Sequence, residues 1–243
     1  MIAIIDYGAG NLGSVYKAFR FIGADALVTD DPAVVESADA LVLPGVGAFG
    51  HCMTGLGRVR LIEQTKRFID SGRPFLGICV GLQMLFDESE ENAESPGLGI
   101  LAGRVVKFRF DGGRRTMKDE EYKYYVPQHP LETFHRPPPA VDSADLNARP
   151  PERLKVPHIG WNEVEHLPGS KLFEGVAQGE RVYFVHSYYP FPFEKGVTAA
   201  WSDHGGRFCC AVEWGNVYGT QFHPEKSGAV GLQILRNFAS LAS

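Results

Sequence analysis

The 243-residue sequence has few cysteines, four in all, and contains no apolar run long enough to span a bilayer. Cys52, Cys79, Cys209 and Cys210 show neither a paired framework nor a zinc-type spacing, and vicinal cysteines are rarely bridged to each other. A disulfide-stapled secreted domain is thereby disfavoured, and a reducing, cytoplasmic setting is expected. Positive charge is not in excess: 24 Lys and Arg against 29 Asp and Glu leave a formal net charge of -5, with the signs interspersed. Without a basic stripe, nucleic acid is not the expected main partner. The chain opens directly on the strand-like Ile2 to Ile5, without a basic segment or a long apolar stretch, so neither processing nor a membrane anchor is expected. Among the eight histidines no two share a convincing metal-ligand spacing, and no metal or cofactor is expected.

What is present is enough apolar residue, 44% of the chain, to bury one large core, so residues 1–243 are read as a single domain. Short apolar runs alternate with helical patterns: Ile2 to Ile5, Asn11 to Ile22, Ala26 to Val28, Pro32 to Ser37 and Ala40 to Leu43. That alternation is the signature of βαβ units. A helical stretch from Leu61 to Asp70 leads into a buried strand from Pro74 to Ile78. Later pieces read as strands: Arg104 to Phe110, Val182 to Tyr189, Val197 to Trp201, Ala211 to Trp214 and Val217 to Gln221, before a last helix from Ala229 to Leu241. The expected fold is α/β: a central, mainly parallel sheet with helices on both faces and an antiparallel extension from the second half. Asp111 to Arg153 breaks the pattern, being polar, proline-rich and without period. It reads as a tolerated insertion or partner-binding arm in preference to a lid.

Cys79 lies at the carboxyl end of the buried strand, where open parallel sheets place ligands, in Phe75-Leu76-Gly77-Ile78-Cys79-Val80-Gly81-Leu82-Gln83. An apolar run, a cysteine between glycines and a helix-compatible segment fit a nucleophile on a tight strand-to-helix turn, with a helix N-terminus expected to favour the thiolate. Gln221-Phe222-His223-Pro224-Glu225 offers an imidazole and a carboxylate to orient it, which completes a Cys-His-Glu triad. His186 is the competing imidazole, with a partly buried strand position as its plain alternative. Pro44-Gly45-Val46-Gly47-Ala48-Phe49-Gly50 offers backbone amides for an oxyanion. As a phosphate loop it lacks the lysine and spacing. Gly8-Ala9-Gly10 with Gly13 also fits a dinucleotide fingerprint, without a decisive ribose acid.

The Gly-x-Cys-x-Gly-x-Gln and His-Pro-Glu motifs resemble those of the class I glutamine amidotransferases. Within that family, Ile5 to Leu12, Pro44 to Phe49, Leu85 to Glu91 and Val156 to Asn162 resemble the glutaminase subunits that serve a cyclase of histidine biosynthesis. The resemblance covers nearly the whole chain except Asp111 to Arg153, which the usual, shorter members lack. It implies that Cys79 attacks the carboxamide of L-glutamine, that His223 relays protons and that Glu225 orients it, through a glutamyl thioester. It further implies oxyanion amides from Val46 and Val80, with the Val46 peptide reorienting before catalysis. Substrate contacts would come from Gly47, Gln83, Glu91, Ser187 and Tyr188. The implied partner is a (β/α)8-barrel cyclase, joined as a heterodimer through Asn11, Tyr183 and Lys226, which uses the ammonia to make imidazole glycerol phosphate and an aminoimidazole carboxamide ribotide.

Three other readings stay open on the residues. One is a paralogous glutaminase feeding a sugar-modifying synthetase. Another is a catalytically idle partner-binding module, and the third is a cysteine peptidase or esterase sharing only the elbow. The insertion is expected on the outer surface near the cyclase.

Overall fold

The computed structural model describes residues 1–91, 95–108 and 155–242. The first part runs β1 (Ile2–Ile5), α1 (Leu12–Phe21), β2 (Ala26–Thr29), α2 (Pro32–Ser37), β3 (Ala40–Gly45), α3 (Phe49–Arg58), α4 (Ile62–Asp70), β4 (Phe75–Cys79), α5 (Val80–Gln83), β5 (Phe86–Ser89), β6 (Ser95–Pro96) and β7 (Leu101–Lys107). The second runs β8 (His158–His166), β9 (Glu180–His186), β10 (Tyr188–Pro192), β11 (Thr198–Asp203), β12 (Arg207–Trp214), β13 (Val217–Thr220), a 3₁₀ turn (Pro224–Lys226) and α6 (Gly228–Ser240).

β1, β3 and β4 are buried at every position, as expected for strands covered on both faces of a parallel sheet. They form part of a nine-stranded sheet of order β2-β1-β3-β4-β13-β12-β11-β8-β9. Pairing is parallel from β2 to β13 and antiparallel from β13 onward. A second sheet, of order β10-β7-β5-β6, packs β10 against β12. Helices surround the main sheet. α2 opens with Pro32 in the first turn and the Asp31 carboxylate accepting from the Ala33 N–H at 2.9 Å, which ties up a backbone donor the helix cannot satisfy itself. Phe238 of α6 meets Phe19 of α1 and Tyr218 of β13 edge-on, closing the core on that side. No described helix is long and apolar enough to cross a membrane.

Several expected boundaries move. The run Val182 to Tyr189 is two strands, because the chain leaves the nine-stranded sheet at Ser187 and enters the four-stranded one. The segment after Cys79 is one helical turn only, since α5 must fit beneath β3 and give way at once to β5. The glycine-rich loop after β3 is shorter than its sequence suggests, with α3 already begun at Phe49. The insertion expected at 111–153 lies outside the described residues.

Candidate active site

β3, β4 and β13 are parallel neighbours, and their registers place Gly45 beside Cys79 and Thr220 beside Ile78. Three carboxyl ends therefore converge, carrying the Val46 loop, the Cys79 thiol and the His223 segment. Cys79 adopts φ 57° and ψ -110°, a conformation an L-residue rarely takes, and it turns the chain abruptly from β4 into α5. The glycines around it exist for close backbone approach. A Cβ on Gly81 would stand 1.8 Å from the Leu43 oxygen, and one on Gly77 would stand 2.6 Å from the Gly81 oxygen. The first turn of α5 thus rides directly on β3 and β4, with no room for side chains.

His223 follows β13 and is pinned by its backbone N–H donating to the Tyr183 oxygen at 3.0 Å. Its Nδ1 pairs with Glu225 Oε1 at 2.8 Å, both groups being buried. Burial alone would depress the imidazolium, but the Cys79 sulfur and the Glu225 carboxylate outweigh it and raise the His223 pKa to about 10. With Nδ1 held by Glu225, it is the buried Nε2 that faces the Cys79 sulfur and is placed for proton exchange with it.

His186, the competing imidazole, lines the same cavity but is committed elsewhere. Its Nδ1 lies 2.8 Å from the Tyr188 carbonyl oxygen, which can only accept, so Nδ1 carries the proton. Burial presses its pKa down to about 3, and the ring is neutral. Its Nε2 therefore accepts from His158 Nδ1 at 3.0 Å, and His158 Nε2 in turn accepts from Asn162 Nδ2 at 3.2 Å. Both nitrogens of His186 are engaged, which leaves His223 as the imidazole at the sulfur.

A cavity of about 270 Å³ opens over Cys79. It is lined by Val46, Gly47, Cys79, Val80, Gln83, Glu91, Ser187, Tyr188 and His223 among the expected residues, with Glu225 behind His223. Glu91 Oε2 accepts from the Phe49 N–H at 2.8 Å, which ties the entry of α3 to the turn after β5. Gln83 Nε2 donates to the Tyr188 oxygen and to Gln221 Oε1, each at 3.0 Å, leaving its own Oε1 as the side-chain atom with accepting capacity. No described group of His, Cys, Asp and Glu side chains is arranged to hold a metal ion.

The three expected partner residues lie on elements that meet at the 3₁₀ turn after His223. Lys226 Nζ stands 5.9 Å from the centre of the Tyr183 ring, and α1, which Asn11 begins, packs on the same 3₁₀ turn. Trp161, more than half exposed, meets Tyr183 edge-on, and Ile159 on the same strand is 60% exposed. Sequence reading missed these two as surface groups, and it also missed three residues around the site. Tyr7 donates its hydroxyl to the Pro44 oxygen at 2.6 Å, and Cys52 Sγ donates to the Val46 oxygen at 3.5 Å, so both hold the loop from beneath. Gln221 Nε2 reaches Cys79 Sγ at 3.7 Å. No local pattern marked it, because β13 ends at Thr220 and the chain bends at Gln221 and Phe222, so its approach to Cys79 depends on how β13 pairs with β4.

The fold and the cysteine elbow together define a glutamine amidotransferase, and the chain belongs to the class-I glutamine amidotransferase family, whose model matches residues 3–241. Among its relatives, the "Imidazole glycerol phosphate synthase subunit HisH" of Syntrophotalea carbinolica is 48% identical over 99% of this chain and 100% of its own length. The protein of the same name from Methanothermobacter thermautotrophicus is 45% identical over 99% and 98%. Relatives of matching length mean that the extra stretch after β7 is not peculiar to this chain. A solved glutamine amidotransferase superposes with a TM-score of 0.66 at 17% identity, covering 100% of this chain and 99% of that one. A chain of PurLQS from Thermotoga maritima gives 0.62 at 16%, covering 98% and 97%. These two likenesses concern the fold alone.

Proposed function

We propose that this chain hydrolyses glutamine at Cys79 as the glutaminase subunit of an imidazole glycerol phosphate synthase, in histidine biosynthesis. The observation that carries the chemistry is the meeting of Cys79, on its strained turn, with the His223–Glu225 pair at one small cavity. Full-length identity of 48% to a subunit of that synthase supports the assignment of pathway.

In this reading the Cys79 proton already sits on His223 Nε2, in keeping with the raised His223 pKa, and the Cys79 thiolate attacks the side-chain carbonyl carbon of glutamine. The amide N–H groups of Val46 and Val80 receive the developing oxyanion. His223 then protonates the departing nitrogen, the C–N bond breaks, and ammonia leaves behind a glutamyl thioester. Water, deprotonated by the same imidazole, cleaves the C–S bond and releases glutamate. Glu225 keeps Nδ1 protonated throughout. Glu91 and the Oε1 of Gln83 accept from the substrate ammonium, and Gly47, Ser187 and Tyr188 hold its other end. A cavity of about 270 Å³ suits a free amino acid.

Ammonia is useful only to an acceptor, and the partner is a (β/α)8-barrel cyclase bound as a heterodimer over Asn11, Tyr183 and Lys226. These residues are tied to the His223 segment, because the Tyr183 carbonyl holds the His223 N–H and the Ser227 hydroxyl bridges the two segments, which supports this face as the one the partner uses. The test is glutamate release from glutamine by the chain alone and with the cyclase and its ribonucleotide ligand. Strong stimulation by the cyclase is expected, with Cys79→Ala losing at least about 10³-fold while ammonia-dependent synthesis by the complex persists. Turnover indifferent to the cyclase would assign the chain to another synthase.

A further inference from the structure

We propose that Gln221 holds the nucleophilic sulfur of Cys79 through its carboxamide, itself oriented by Gln83 from the main chain of Tyr188. The inference rests on glutamine hydrolysis at Cys79 and adds a residue to that machinery which the motifs do not point to.

Gln221 is completely buried, and a buried carboxamide must place both of its ends against partners. Its orientation follows from one fixed point. The Tyr188 carbonyl oxygen can only accept, so the Gln83 atom 3.0 Å away is its NH₂. The same NH₂ stands 3.0 Å from the Gln221 side chain, so the atom facing it is Oε1. The nitrogen of Gln221 is thereby directed to Cys79 Sγ, at 3.7 Å. Turning the amide over would set nitrogen against nitrogen at Gln83, losing that bond, and would put its oxygen against sulfur at Cys79, where it repels a thiolate. The backbone is equally fixed, since the Gln221 N–H donates to the Cys210 oxygen at 2.8 Å.

The sulfur is therefore flanked by an imidazole and by an amide that can only donate to it. An N–H aimed at sulfur favours it when it carries negative charge, both before attack and again when water cleaves the thioester and sulfur departs. The same contact limits the rotamers of a side chain that must meet the substrate carbonyl in line. Because the relay begins at Tyr188, the wall that receives glutamine also sets the orientation of the group holding the nucleophile.

The experiment uses the complex with the cyclase and its ribonucleotide ligand, comparing wild type with Gln221→Met and Gln221→Glu. Glutamate release is measured across pH, alongside the pH profile of Cys79 alkylation by iodoacetamide and ammonia-dependent synthesis. For Gln221→Met, kcat should fall about ten-fold with KM changed less than about two-fold, and the alkylation midpoint should move to higher pH. Gln221→Glu keeps the shape and the acceptor for Gln83 and decides the matter if the methionine variant fails to fold. Its loss should deepen with rising pH as a carboxylate replaces a donor, and shrink at acid pH where a protonated carboxyl donates again. Unchanged ammonia-dependent synthesis shows that the complex is intact. Wild-type kcat in the variants, or lost kcat with an unmoved alkylation profile, overturns the role of Gln221 alone. Absence of glutamate release by the wild-type complex overturns the glutaminase reading itself, and this inference with it.

Discussion

At the scale of single residues, the buried histidines behave in two opposite ways. His186 and His158 are held at about 3 and about 4, chiefly by burial, and the stacked His204 adds a further depression. Both lie below the unfolded value near 6.5, so in that interval the unfolded chain binds more protons. Stability should therefore fall as pH drops below about 6.5 and level off near 3. His223 carries the other sign. Raised to about 10, its contribution is complete below about 6.5 and is lost as pH climbs through 10. Urea midpoints between pH 7 and pH 5 measure the acid limb, and a flat midpoint there would contradict neutral His186 and His158. The triad was legible because a cysteine between glycines and a His-Pro-Glu segment are local patterns. Gln221 was not, since its meaning depends on Gln83, which is 138 positions away in the chain. The commitment of His186 to Tyr188 and His158 was equally invisible, being set by how β8 and β9 pair.

At the scale of elements, the crossing of α5 over β3 makes a sharp prediction. Gly81→Ala should destabilise the fold by more than about 3 kcal/mol or prevent expression, because its Cβ would sit 1.8 Å from a backbone oxygen. Gly13→Ala, in the exposed first turn of α1 with nothing within 4 Å, should instead stabilise by about 0.5–1 kcal/mol. Thermal unfolding of the pair separates steric need from mere permissiveness. The stretch between β7 and β8 offers a second test. Its flanks converge on one histidine: the Phe108 ring lies 5.2 Å from that of His204, whose Nε2 bonds the Lys155 oxygen at 2.9 Å. Replacing residues 111–153 by a linker of about five residues should leave the core folded. Differential scanning of the shortened chain checks this, and a large drop in Tm would show that the stretch braces the core. The elements β1 to β4 were legible from alternating apolar runs. The break at Ser187 was not, because Val182 to Tyr189 is uninterrupted strand-forming sequence with no glycine or proline to mark a change of sheet.

At the scale of the molecule, the parallel half and its antiparallel extension follow from the order of runs, but the partition into two sheets does not. Strand pairing across distant segments, such as β7 with β10, is written in no local pattern. That partition decides how the cavity is built. Cys79 and His223 stand on the nine-stranded sheet, Tyr188 begins a strand of the four-stranded one, and Glu91 follows β5 of the same smaller sheet. An amino acid lodged between them would act as a brace across a seam, each sheet presenting half of the binding surface. Amide exchange in β5, β7 and β10, strands that supply nothing to the triad, should therefore slow when the cavity fills, and would be unchanged if the smaller sheet took no share of the load.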